Sequence, residues 1–270
     1  MTDIADIAIE KTSLRRSAAL QARAIYSLLM REILTRYGRH NIGFLWLFLE
    51  PMLLTLGVTL LWHFTFKSHA GNLSVTAFAV TGYSSVQLWR TTAGRCIHAL
   101  QPNLSLLYHR NVRLIDIYFA RIFLELAGAT AAFTLMIVLF AGIGLIKMPA
   151  DLFSLMSGWF LLSWFGGALA LVLGAASELS ELVERLWHPI AYLLFPLSGA
   201  MFLVEWLPTS LHSLALWVPM ITPIELIRLG YFGHQIKAHY DVPYVIGVNM
   251  VLTLAGLYLC RSAEARVEHE

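Results

Sequence analysis

R-E-I-L-T-R-Y-G-R-H-N-I-G-F-L-W-L-F-L-E-P, Arg31 to Pro51, decides how the rest of the chain is read. Arg31, Arg36 and Arg39 stand with Glu32 before an apolar run. The run starts at Ile42 or Gly43, lasts to about Phe66 and carries one formal charge, Glu50. It exceeds the roughly 20 residues that cross a bilayer. A basic edge feeding such a run is the pattern of a transmembrane helix leaving the cytoplasmic surface.

The composition agrees. Of 270 residues, 58% are hydrophobic and 13% charged, against roughly 25% charged in a soluble domain. A core of this length cannot hide that much apolar surface, so a bilayer is the natural solvent. The net charge of +2 decides little. The first forty residues are polar and charged, with no apolar stretch of signal-peptide type. Cys96 and Cys260 each fall near an expected cytoplasmic helix end and read as free buried thiols, not a disulfide.

Residues 12–35 read as an amphipathic helix lying on the membrane surface. Leu14, Ala18, Ala22, Ile25, Leu29 and Ile33 recur at helical spacing, with Arg16, Arg23 and Arg31 on the other side. A soluble helix packed on a partner is the competing reading. Six spans follow, at about 43–66, 73–91, 120–146, 152–176, 186–204 and 243–261. The second is weakened by Ser and Thr, the fifth by Pro189 and Pro196. Residues 205–240 are broken by Pro208, Pro219 and Pro223 into two apolar pieces too short to cross. They read as a periplasmic re-entrant helical hairpin. The expected fold is therefore an all-α polytopic membrane protein, one transmembrane domain over 1–270. Arginine and lysine cluster before span one and between spans two and three, which places both termini in the cytoplasm.

Arg31, Glu32, Ile33, Arg36, Tyr37, Asn41, Ile42, Gly43, Leu45 and Trp46, with Glu50-Pro51 behind them, resemble the motif that opens the first span of type-2 ABC exporter permeases. The run from Leu106 to Glu125 and the run from Pro219 to Gly233 resemble the group 2 capsule polysaccharide export branch. That resemblance implies a permease of a bacterial inner-membrane exporter for lipid-linked, usually anionic capsular polysaccharide. It implies a homodimer with two copies of a separate ABC ATPase. It also implies an envelope-spanning co-polymerase-like partner and an outer-membrane exporter. ATP and Mg would sit on the ATPase, and no cofactor, metal or nucleic acid is expected here. The chain has no G-x-x-x-x-G-K-[ST] loop of its own.

Several residues then acquire candidate roles. Gln101 to Arg113, short, basic and apolar by turns, would be the coupling helix, with Leu106, Tyr108, His109, Arg110 and Asn111 meeting the ATPase. A plain basic loop is the alternative. Arg31, Arg36 and Arg39 can meet either the anionic lipid linker or anionic lipid. Trp46, Trp159 and Trp164 are the candidate glycan channel rings, because sugars stack on aromatic faces. Trp and Tyr at span ends also serve as interface anchors. Glu225 and Arg228, three apart, read as a gate or as a local staple of the hairpin. Arg121 and Glu125, four apart, read as a local ion pair easing span three into the membrane. Glu50 can be a structural hydrogen bonder or a substrate contact. Gly166, Ala170 and Gly174 form a small-residue stripe for close packing, within one subunit or between two.

Two competing functions remain. One is export of another lipid-linked glycan, O-antigen or teichoic acid. The other is a membrane-embedded glycan-modifying enzyme, which should show paired carboxylates. Glu205, Glu225 and Asp241 are instead scattered along the chain.

Overall fold

The computed structural model describes residues 14–37, 49, 52–53, 55–61, 73–97, 99–103 and 113–267, with only the helical backbone at 14–18, 35–37 and 267. The regular structure among these residues is helical. In chain order it comprises α1 (Leu14–Tyr37), a segment at 55–61, α2 (Val75–Cys96), α3 (Leu114–Gly142) and α4 (Leu152–Leu179). Then come α5 (Glu181–Leu197), α6 (Thr209–Leu216), α7 (Ile221–Phe232) and α8 (Val242–Val267). Three of these are long and apolar enough to cross a bilayer: α3, α4 and α8 as far as Arg266. The protein is a polytopic all-helical membrane protein.

Local chemistry sets the helix ends. Ser74 caps α2 by accepting from the Ala77 N–H at 3.3 Å. Asp151 caps α4 by accepting from the N–H groups of Phe153 and Ser154 at 2.9 and 3.3 Å. The third expected span, 120–146, is shifted: α3 starts at Leu114 and ends at Gly142. Asp116 Oδ2 accepts the Arg113 N–H at 3.1 Å at its start, and Gly144 turns the chain with φ +76° just past its end. Over the fifth expected span, 186–204, the helix has 17 residues and is not among the three long and apolar enough to cross. α5 runs from Glu181 to Leu197 with Pro189 and Pro196 inside it, and Gly199 at φ +82° lies beyond its end.

α2 is deeply packed: Ala79, Val80, Val86, Leu88 and Trp89 have no exposed surface. Its polar composition follows from that position. Thr81, Ser85, Thr91 and Thr92 donate to the carbonyls of Ala77, Thr81, Gln87 and Leu88, each one turn back, at 2.5 to 2.9 Å. The helix faces protein, so hydroxyls satisfied along its own backbone cost little there.

α4 is the hub against which α2, α7 and α8 pack. Its small residues permit this. A Cβ at Gly158 would lie 2.6 Å from Pro223 O of α7, and one at Gly174 would lie 2.7 Å from the Tyr118 ring of α3. Gly166 lies against Trp89 of α2. The stripe on α4 therefore closes contacts inside the subunit. α6 and α7 meet at a bend of 110°. α6 has no buried residue, whereas nearly every residue of α7 is buried.

Candidate functional site: a charged base and a buried arginine clamp

At the end of the bundle where α3 begins, α1 lies across the base of α3. Leu28 is buried with Leu114, Ile117 and Ala263 in one apolar cluster, and Ile25 and Leu29 pack at its edge. The polar residues of α1 then reach specific partners. Gln21 Nε2 donates to Asp116 Oδ1 at 2.9 Å. Arg31 donates from Nη1 to Asn103 Oδ1 at 3.1 Å and from Nη2 to Pro102 O at 3.3 Å. Asn103 in turn donates to Ala99 O at 2.8 Å, fixing the short 3-10 turn Gln101–Asn103.

A buried charge network backs this base. Arg121 donates from Nε to Glu32 Oε1 at 2.9 Å and from Nη1 to Arg95 O at 2.7 Å. Arg95 Nε lies 3.9 Å from Glu125 Oε1. The local Arg121–Glu125 pair expected from spacing is corrected: Arg121 turns to α1 and Glu125 to α2. Burial explains the choice. Glu32 and Arg121 are both buried, so each needs a direct charged partner.

The residues expected to meet an ATPase, Leu106, Tyr108, His109, Arg110 and Asn111, lie outside the described residues, but both flanks of their segment are described. Asn103 on one side is held by Arg31, and Asp116 on the other is held by Gln21. α1 therefore pins both ends of the 104–112 segment. Sequence reasoning missed Glu32, Arg95 and Asn103 as parts of this base. Glu32 alone carried a signal, its place beside Arg31 in the opening motif.

Of the three arginines expected at lipid or linker groups, Arg39 lies outside the described residues and Arg36 is described by its helical backbone only. Arg31 is turned to the protein, contrary to the expectation that it sits on the face opposite the packed one.

At the other end of the bundle, Arg228 on α7 has no exposed surface. It donates to three carbonyls of the turn after α5: Gly199 O at 2.6 Å, Phe202 O at 2.5 Å, and Ala200 O. Its guanidinium lies 3.8 Å from the centroid of the Phe78 ring on α2. Glu225, one turn earlier, accepts the N–H groups of Val204 and His239, each at 3.1 to 3.2 Å. The expected Glu225 and Arg228 pair thus clamps the 199–204 turn from both polarities, with backbone as the immediate partner of each side chain.

An apolar helical bundle with a charged base at one end and a buried arginine clamp at the other is the architecture of a membrane component. The chain matches the ABC-2 type transporter model over residues 23–232. It belongs to the ABC-2 type transporter family. The chain is 40% identical over 259 residues to a capsule polysaccharide export inner-membrane protein, BexB, of Haemophilus influenzae, covering 96% of this chain and 98% of the relative. It is 42% identical over 261 residues to the capsule polysaccharide export inner-membrane protein CtrC of Neisseria meningitidis serogroup B, covering 97% and 98%. A polysialic acid transport protein of Escherichia coli, KpsM, is 25% identical over 255 residues, covering 93% and 97%.

In this ABC-2 transporter chain the candidate channel rings are placed as follows. Trp46 lies outside the described residues, as does Glu50. Trp159 is stacked on Phe133 of α3 at 4.3 Å and 5°. Its Nε1 donates to Thr130 Oγ1 at 2.9 Å. Its ring is 8% exposed and packs against α3 within the subunit. Trp164 is half-buried and donates to Thr253 Oγ1 of α8 at 3.0 Å. Glu205, Glu225 and Asp241 each serve backbone amides: Glu205 accepts from Lys237 N, Glu225 as above, and Asp241 from Tyr244 N. Cys96 and Cys260 are buried free thiols, as expected.

Proposed function

We propose that the chain is the inner-membrane permease subunit of an ATP-driven ABC exporter that moves lipid-linked capsular polysaccharide across the membrane. The observation that carries this is similarity over nearly the whole chain, at 40% identity or more, to two capsule export inner-membrane proteins. The chain is a transport subunit and not an enzyme, and its ATPase is a separate polypeptide. O-antigen and teichoic acid remain less fitting cargoes, because the full-length relatives carry capsule polysaccharide in their names.

The finer reading is as follows. The whole of 1–270 forms one transmembrane domain with six spans, both termini in the cytoplasm. α1 lies at the cytoplasmic surface, where its exposed Leu20, Tyr26 and Leu34 meet lipid. The α6–α7 pair forms the periplasmic re-entrant hairpin, supported by its 110° bend and by the burial of α7. Two copies assemble with two ATPase subunits, an envelope-spanning partner and an outer-membrane exporter. The 101–113 segment, through Leu106, Tyr108, His109, Arg110 and Asn111, couples ATP hydrolysis to the spans. The base supports this role, since α1 holds both ends of that segment. Arg36 and Arg39 meet the linker or anionic lipid, and Arg31 orients the loop. Trp46 and Trp164 contact the glycan, and Trp159 stiffens the wall behind them. Glu225 and Arg228 set the periplasmic gate segment by fixing the turn after α5. No cofactor binds to this chain itself.

Deletion of the gene in its host tests the function. Lipid-linked polymer should keep being made and accumulate inside the cell, with surface polymer lost and restored by the gene in trans. Normal amounts of surface polymer in the deletion strain would overturn the reading.

A further inference from the structure

A small cavity of about 10 Å³, room for about one water, lies between the 55–61 segment, α2 and α3. Its apolar walls include Ala132, Phe133 and Met136 of α3, and its polar side is Thr55, Ser84 and Gln87. The polar side is unlike the rest of α2. The hydroxyls of Thr81, Ser85 and Thr92 are satisfied one turn back along their own helix. Gln87 is 4% exposed, and its Oε1 has no hydrogen-bond partner among the described residues. Thr59, four residues after Thr55 and so on the same helix face, is also buried with its Oγ1 unpartnered among them.

A buried amide oxygen in apolar surroundings is costly unless something donates to it. Among the described residues lining this cavity none is charged, so an ion would enter without compensation. An apolar ligand would leave the oxygen unbonded. Water is small enough, donates twice and accepts twice, and is the usual partner of such groups in protein interiors.

We propose that this cavity is a hydration site at membrane depth. One water donates to Gln87 Oε1 and is held by the hydroxyls of Ser84 and Thr55, joining α2 to the first-span segment. A water bridge of this kind ties two helices while leaving both free of a direct side-chain bond.

X-ray radiolytic footprinting on the detergent-solubilised full chain tests this. Hydroxyl radicals formed from a bound water oxidise the side chains beside it even where bulk water has no access. Met136 lines the cavity at 2% exposure, and Met220, at 4% exposure and outside the cavity lining, is the internal control. Met136 should oxidise several-fold faster than Met220 in the wild-type protein. Gln87→Leu, which keeps the side chain's bulk and removes the acceptor, should bring Met136 down to the rate of Met220. Ser84→Ala is the second variant should the first not fold, with the same expectation. Wild-type rates that are equal for the two methionines overturn the proposal. So does a Met136 rate unchanged in whichever variant folds.

Discussion

Arg121 and Glu32 form a buried ion pair at 2.9 Å although 89 residues separate them in the chain. The pair joins α1 to α3, and the Arg121 guanidinium also holds the last turn of α2 through Arg95 O. Three elements therefore share one charged centre. Removing either residue takes the direct ion-pair partner from a buried charge. Glu32→Ala or Arg121→Ala should each destabilise the solubilised protein by about 3–5 kcal/mol. The double variant Glu32→Ala with Arg121→Ala should be less unstable than the sum of the two singles. A double-mutant cycle on thermal or chaotrope unfolding reads this directly, and strict additivity would mean that the pair is uncoupled.

The base predicts a coupling defect distinct from a folding defect. Arg31 donates to both Pro102 and Asn103, so Arg31→Ala frees the start of the 104–112 segment while leaving the Glu32–Arg121 pair intact. ATP hydrolysis by the assembled complex should lose most of its stimulation by glycolipid, with the permease still inserted and bound to its ATPase. Replacing Tyr108, His109 and Arg110 together with alanine should do the same, more completely. Full stimulation in the triple variant would move coupling to another part of the chain.

Trp159 and Trp164 should separate by phenotype. Trp159 loses a stacked ring and an N–H bond to Thr130 when truncated. Trp159→Ala should cost about 3–5 kcal/mol of stability, and Trp159→Phe should keep the stack and export at close to the wild-type rate. Trp164 is half-buried with its edge on Thr253. Trp164→Ala should fold and slow the appearance of surface polymer. A stable Trp159→Ala protein with slow export would instead put that ring on the glycan path.

These contrasts show what a single sequence exposes. The third, fourth and sixth expected spans were legible as long apolar helices because their hydropathy persists over about twenty residues. α2 was harder to place because hydropathy assumes that a span faces lipid, whereas this helix faces protein and carries Ser and Thr satisfied along its own backbone. The small-residue stripe on α4 was legible as close packing, but its partners, Trp89 and Tyr118, come from other helices. Arg121 misled for the same reason. Helical spacing offers Glu125 four residues away, and nothing in the local pattern points to Glu32. The clamp partners of Arg228 are backbone carbonyls, which have no sequence signature at all.

The start of α4 gives a pH prediction. The Asp151 carboxylate accepts from the Ser154 hydroxyl at 2.5 Å and from the Phe153 and Ser154 N–H groups. These bonds, that of the Ser154 side chain first, hold its pKa below the usual carboxylate value. A depressed carboxylate contributes stability above its ordinary pKa and loses it as the pH falls through the lower folded value. The difference in Tm between the wild type and Asp151→Ala should therefore be largest near neutral pH. It should shrink towards about pH 3. A difference that stays constant over that range would mean that the charged cap is not what the substitution removes.

The clamp at Arg228 makes the most specific demand on side-chain chemistry. A planar guanidinium reaches Gly199, Ala200 and Phe202 carbonyls at once while lying flat over the Phe78 ring. A lysine ammonium in the same place is one point charge and cannot match three carbonyls and a ring face together. Hydrogen bonds to charged groups are worth about 1.5–3 kcal/mol each, so losing even one should be measurable. Arg228→Lys should lower Tm and slow export although the charge is kept. Gly82 supplies an independent check. A Cβ there would clash with Ala200 O and lie 2.9 Å from Arg228 Nη2, so Gly82→Ala must push both the turn after α5 and the guanidinium away from α2 without altering Arg228 itself. It should reproduce the Arg228→Lys phenotype, while Phe78→Leu, which spares all three hydrogen bonds, should be milder than either. Wild-type stability and export in Arg228→Lys would show that net charge alone, and not the fork of donors, holds the turn after α5.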